Sequence, residues 1–232
     1  ANKFRVDIEG KNKFHKTLST ARLLEEHKVE FNILCVLTGY SAMNIDRIYK
    51  FYKSKNFKYL QFIPCLRPFG DETESTHYMT VDQYKYFLIH AFNTYVKDYV
   101  TDNYTSIRHF DNWVQLYLGK PTEQCGIGGH CTHQFVVEGN GNVYPCDFYC
   151  LDEWLLGNIN SSDFETMAYS EKATAFIKES LPVDEKCKAC KFYKLCRGGG
   201  CKRTRANKDY CQAYYAFFSA CLPLFRVFIN ER

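Results

Sequence analysis

Eight of the twelve cysteines form a grid in two parts. The first is Cys125-x5-Cys131, then Gly141 after nine residues and Cys146 after four more; the second is Cys187-x2-Cys190-x5-Cys196-x4-Cys201, with Cys211 beyond it. Eight thiols make two sets of four. A 4Fe-4S cluster takes four thiolates, so two clusters fit the count with no ligand of another type. Disulfides fit poorly, because they staple small secreted chains, whereas 232 residues at 46% hydrophobic and 17% aromatic content can bury a large core. Zinc stays open: structural sites usually draw on two short knuckles, and only Cys187 and Cys190 have C-x2-C spacing. His130 and His133 flank Cys131, but histidines beside a hairpin are more often surface groups or lie behind the ligands, so they stay outside the ligand set.

The elements that must position these thiols follow from the pattern around them. Residues 134–138 and 142–144 read as strands flanking Gly139-Asn140-Gly141, and Asn-Gly is a strong turn signal because both residues tolerate positive φ. Closing that hairpin brings Cys131 and Cys146 to the same end, which gives the C-x9-G-x4-C spacing a physical reason. Before it, the chain alternates helix and strand: a helix over 17–28, a near-continuous apolar strand over 29–37, a helix over 44–55 capped by Asn44, and a second strand over 59–66. Both apolar runs predict buried parallel strands, with Cys35 and Cys65 as small hydrophobes inside them. Thr80-x-x-Gln83 is a capping box opening a long packing helix through Phe87, Leu88, Ala91, Phe92, Tyr95, Val96 and Tyr99, and a further helix covers 109–118. Two parallel strands leave faces and edges uncovered, so this half reads as the later part of a longer α/β unit. The break at Gly119-Lys120-Pro121 sets two domains, 1–115 and 116–232.

The formal charge of +4 counts every thiol as neutral; two clusters with four thiolates each would add about −2 apiece and bring the loaded protein near zero. The basic residues therefore call for no nucleic-acid partner. Lys186, Lys188, Lys191, Lys194, Arg197, Lys202, Arg203 and Arg205 surround the second cysteine group, either offsetting cluster charge or forming a solvated basic face. No run of about eighteen apolar residues occurs, and no charged-then-apolar leader pattern, so the expectation is a cytoplasmic protein with no membrane segment.

At this point the residues carry a likeness. The grid resembles the SPASM domain, the twin-cluster module of radical S-adenosylmethionine (SAM) enzymes that modify peptides. Within that group, Cys125-Gly-x4-Cys131, Gln134-Phe-Val-Val-Glu138 and Val143-Tyr-Pro-Cys-Asp-Phe-Tyr149 followed by Leu156-Gly157-Asn158 resemble the anaerobic sulfatase-maturating enzymes, as do Phe31-Asn-Ile-Leu34 and Leu60-Gln-Phe-Ile63 in the first half. The resemblance implies an α/β fold: the C-terminal part of a partial (β/α)6 radical SAM barrel over 1–115, followed over 116–232 by an iron-sulfur SPASM domain with a β-hairpin and helices. It implies that Cys125, Cys131, Cys146 and Cys201 hold the inner cluster and Cys187, Cys190, Cys196 and Cys211 the outer one, leaving Cys150 and Cys221 without a ligand role.

The same resemblance implies a radical SAM oxidoreductase that converts a cysteine or serine of an unfolded sulfatase segment to Cα-formylglycine, with S-adenosylmethionine and 4Fe-4S clusters as cofactors and a flavodoxin or ferredoxin as electron donor. Asp147 would be its general base, raised toward a useful pKa by an anionic cluster and by Phe148 and Tyr149. On the residues alone, an aspartate there more simply ends a hairpin by bonding local backbone amides. Two departures stand out. The C-x3-C-x2-C loop that binds the SAM cluster is absent from these residues and is expected, with a third cluster, in a preceding segment. Four residues, where the family tends to have three, separate Cys196 from Cys201, the extra one being a glycine of Arg197-Gly-Gly-Gly200. The alternatives are another SPASM peptide-modifying enzyme, or a non-catalytic iron-sulfur or zinc module for electron transfer or binding.

Overall fold

The structure, a computed structural model, describes residues 5–71, 73, 75–206 and 210–229. The chain divides into two compact units, one made of residues up to Asp111 with those from Ala216 onward, the other of Asn112–Tyr215.

In the first unit, helix Phe14–Glu26 precedes strand β1 (Ile33–Leu37), helices Gly39–Met43 and Ile45–Ser54, and strand β2 (Tyr59–Pro64). β1 and β2 pair in parallel, from Ile33↔Leu60 to Leu37↔Pro64, as the apolar runs predict. A third strand, β3 (Ser106–Ile107), joins β2 in parallel; at two residues it carries no periodicity and is invisible in the sequence. β1 is buried on one face only. Cys35 and Leu37 face the core, whereas Leu34 and Val36 are 58% and 54% exposed, so the expected double burial holds for alternate residues. Asn44 is also corrected: Thr38 caps the turn Gly39–Met43, Asn44 donates its amide to the Tyr40 carbonyl at 2.9 Å, and Ile45–Ser54 starts without a side-chain cap.

The capping box forms as expected. Gln83 N–H donates to Thr80 Oγ1 at 3.2 Å and Thr80 N–H to Gln83 Oε1 at 2.9 Å, opening helix Val81–Val100. Its face of Phe87, Leu88, Ala91, Phe92, Tyr95 and Val96 is buried, and the returning C-terminal segment packs on it: Phe92 meets Phe217 at 5.3 Å and Phe225 at 4.6 Å between ring centroids. Each buried phenylalanine contributes about 1.5–3 kcal/mol. Cys221 lies in this core, as expected of a small hydrophobe.

The second unit is built on the hairpin. β4 (Val136–Val137) pairs antiparallel with β5 (Asn142–Tyr144) in the register Val136↔Tyr144, and Gly141 takes φ +84° in the turn. A third strand, β6 (Gly157–Asn158), adds to β5. Gln134 N–H donates to the Pro145 carbonyl at 2.7 Å, so the pairing runs on to the cysteine-bearing end. Short helices follow, Phe164–Ala168 and Glu171–Glu179 capped by Asp163 and Ser170. Among the described residues no helix is long and apolar enough to cross a membrane.

Candidate metal centres

Four segments bring the first set of thiols together. Cys125 opens a single turn, Cys125–Gly128, anchored by Asn112, whose Oδ1 accepts from the Glu123 and Gln124 amides at 2.9 Å each. Cys131 N–H donates to Ser180 Oγ at 2.8 Å, and Cys146 follows β5. Cys201 follows four left-handed residues, Arg197 to Gly200, with φ between +50° and +92°. The extra glycine is thus one of three that continue a left-handed run begun by Arg197, a conformation that glycine enters without strain. A Cβ on Gly200 would lie 1.8 Å from the Gly126 carbonyl oxygen, so the absence of a side chain there lets the Cys201 loop close on the Cys125 turn. Arg205 fastens the arrangement, donating to the carbonyls of Gly200 at 2.9 Å, Ser180 at 2.8 Å, Pro182 at 2.9 Å and Gly129. Arg197 donates to the Gly128 carbonyl at 3.0 Å.

The result is one packed cluster: Cys131, Cys201, Tyr149, Trp154 and Phe176 buried together, with Cys125 and Cys146 against them. The thiols feel one another. Cys131 and Cys201 share a hydrogen bond, which holds Cys201 below its ordinary value and pushes Cys131 above. Burial pushes Cys125 up, aided by Cys201, and pushes Cys146 up to about 12. The Cys201 sulfur also accepts from the Thr204 and Arg203 amides, donors that suit a metal-bound thiolate, and lies 3.6 Å from the Thr204 hydroxyl.

The second set lines a cavity of about 690 Å³ walled by Cys187, Cys190, Cys196 and Cys211 together with Tyr193 and Tyr214. Burial pushes Cys196 up to about 12, and the thiols of Cys211, Cys187 and Cys190 each add to it, which places all four within electrostatic reach. Among the described residues no three Cys, His, Asp or Glu side chains converge on one ion position. A zinc ion draws its thiolates to about 2.3 Å of a single point, whereas a cubane cluster sets each thiolate on its own iron. Four thiolates in each place are the donor type and number that a 4Fe-4S cluster takes.

Asp147 begins a short 3-10 turn, Asp147–Tyr149, and is exposed. Its Oδ1 accepts from the Phe148 amide at 3.1 Å and from the Cys146 thiol at 3.3 Å, so the local amide bond and the contact with a candidate ligand occur together. Cys150 donates to the Cys146 carbonyl at 3.7 Å and lies outside both sets; His130 is exposed and His133 packs on Phe135 at 4.9 Å. Sequence reasoning missed Asn112 and Ser180, which no local pattern marks, and the part of Arg205, which appeared only as one charge in a basic run.

Residues 125–191 match the SPASM iron-sulfur cluster-binding domain. Over 228 residues the chain is 43% identical to the cysteine-type anaerobic sulfatase-maturating enzyme of Clostridium perfringens (strain 13 / Type A), a match covering 94% of this chain and 61% of that protein. The chain is homologous to the anaerobic sulfatase-maturating enzymes. The cysteine-type enzyme of Clostridium novyi is 38% identical over 94% of this chain and 60% of its own, and the serine-type enzyme of Bacteroides thetaiotaomicron 28% identical over 96% and 59%. Among solved structures, native anSMEcpe with bound AdoMet superposes with a TM-score of 0.88 at 40% identity, covering 97% of this chain and 64% of that one. Native anSMEcpe with bound AdoMet and Cp18Cys peptide gives 0.89 at 41%, covering 97% and 65%. The α/β fold of these maturases, with its SPASM domain, is thus the fold of this homologue, as the resemblance implied. The chain spans about three fifths of the length of the curated relatives it matches.

Proposed function

We propose that this chain serves an enzyme that oxidises a cysteine or serine of an unfolded sulfatase segment to Cα-formylglycine, working in the cytosol. The observation that carries this reading is the 43% identity, over 94% of the chain, to a cysteine-type anaerobic sulfatase-maturating enzyme. Lower identity to the serine-type enzymes, 26–28%, supports a cysteine substrate. Residues 1–115 would belong to the barrel and 116–232 to the twin-cluster domain.

Cys125, Cys131, Cys146 and Cys201 would hold the inner 4Fe-4S cluster and Cys187, Cys190, Cys196 and Cys211 the outer one. When bound, S-adenosylmethionine supplies on reductive cleavage the radical that takes a hydrogen from the substrate β-carbon, and the clusters accept and pass single electrons, ultimately exchanged with a carrier such as flavodoxin or ferredoxin. Asp147 takes the proton of the substrate thiol or hydroxyl. Its exposed carboxylate can be reached by an extended peptide, and its Cys146 contact sets it at the edge of the first thiol set. A cysteine substrate that has lost one hydrogen atom, one proton and one electron is a thioaldehyde, which water converts to the aldehyde of formylglycine with release of hydrogen sulfide.

Asp147→Asn keeps the side chain's shape and removes the base. In the complete enzyme, iron content and SAM cleavage should stay at wild-type levels while formylglycine formation on a sulfatase-derived peptide falls by about two to four orders of magnitude. Wild-type turnover by the variant would assign the proton to another group.

A further inference from the structure

Lys202 directly follows Cys201, and its ammonium is not in open solvent. It lies 4.4 Å from the ring centroid of Trp154, 5.0 Å from Tyr149 and 5.5 Å from Phe176. The three rings meet edge to face, Tyr149–Phe176 and Trp154–Phe176 at 5.2 Å each and Tyr149–Trp154 at 6.5 Å. They form a box around the cation, whose side chain is 22% exposed. Glu179 closes the outer side at 2.5 Å and is itself 53% exposed. The box is not separate from the first thiol set: the same three rings are packed with Cys131 and Cys201, and the Lys202 backbone amide donates to the Cys131 sulfur.

A lysine on a surface helix would ordinarily extend into water, so enclosing its charge in aromatic faces carries a desolvation cost that ring quadrupoles only partly return. Filling the space among the three rings does not itself call for a cation, since a methionine side chain has a similar length. What a cation does there is electrical. Four thiolates around an oxidised 4Fe-4S cluster carry about −2, and one-electron reduction takes this to about −3. A fixed positive charge behind a low-dielectric wall favours the more negative state.

We propose that the boxed Lys202 ammonium holds the reduction potential of the first cluster up, making it a better electron acceptor than its thiolates alone would allow. This rests on the reading of Cys125, Cys131, Cys146 and Cys201 as one cluster site. Glu179 works against Lys202 from the outer side, so removing either charge moves the potential, in opposite directions.

The test is a dithionite titration, followed by electron paramagnetic resonance, of the complete protein reconstituted without oxygen, tracking the reduced-cluster signal that Cys131→Ala abolishes. Lys202→Met should lower the midpoint by about 59 mV, equal to a tenfold fall in the ratio of reduced to oxidised cluster at fixed potential for a one-electron couple. Glu179→Gln should raise it, and Lys202→Arg should stay near wild type because guanidinium also stacks on aromatic faces. Unchanged midpoints in Lys202→Met and Glu179→Gln, or shifts of the same sign in both, overturn the inference; so does loss of the cluster in Lys202→Met with Glu179→Gln unmoved, the pattern of a purely structural box. A wild type with no Cys131-dependent signal is a distinct result, and overturns the cluster assignment beneath it.

Discussion

Gly200 shows how narrowly the first site is drawn at the level of single residues. Its φ is +86°, and a Cβ would fall on the Gly126 carbonyl oxygen, a backbone atom that cannot rotate away. Gly200→Ala should therefore push the Cys201 loop off the Cys125 turn and remove about four irons per chain, with the iron of the second site retained, as metal analysis of anaerobically prepared protein would register. Equal iron in variant and wild type would mean that Cys201 lies outside the ligand set. The cysteine grid was legible in the sequence because it is a pattern of residue type and spacing together. Ser180, Arg205 and Lys202 were not, since what they bond or stack against comes from distant parts of the chain, and a serine, an arginine and a lysine have many commoner uses.

At the level of elements, legibility followed length. The long helix announced itself through its capping box and apolar face, and the hairpin through Asn-Gly, whereas β3 and β6, two residues each, left no trace. Thr80→Ala should cost about 1 kcal/mol, seen as a lower melting temperature, because one hydroxyl satisfies an orphan helix amide. Helix Arg108–Tyr117 carries a sharper signature in His109, buried against Phe87 and Phe110 and held by that burial down to about 3. The unfolded chain takes up a proton on this imidazole near pH 6.5 and the folded one does not, so folding stability falls as pH drops from about 6.5 towards 3, by up to about 1.4 kcal/mol per pH unit. Melts between about pH 7 and 4 should show that decline, and His109→Phe should flatten it; an unchanged slope in the variant would place the acid sensitivity elsewhere.

For the whole molecule, the return of the C-terminal aromatics to the helix Val81–Val100 was not legible, because an aromatic-rich helix says that it is buried but not in which core. The basic run around the second cysteines also resolves into two uses: Arg197 and Arg205 bond carbonyls and Lys202 sits among rings, while Lys186, Lys188, Lys191 and Lys194 stay exposed. The eight thiols fall in two sets, and the chemistry of the molecule turns on what those sets hold. The direct measurement is iron and zinc content of the complete protein, purified without oxygen, beside a variant with Cys125, Cys131, Cys187 and Cys190 all replaced by alanine. The account predicts a difference of about eight irons per chain with no zinc; a difference of about two zinc ions and no iron would contradict it.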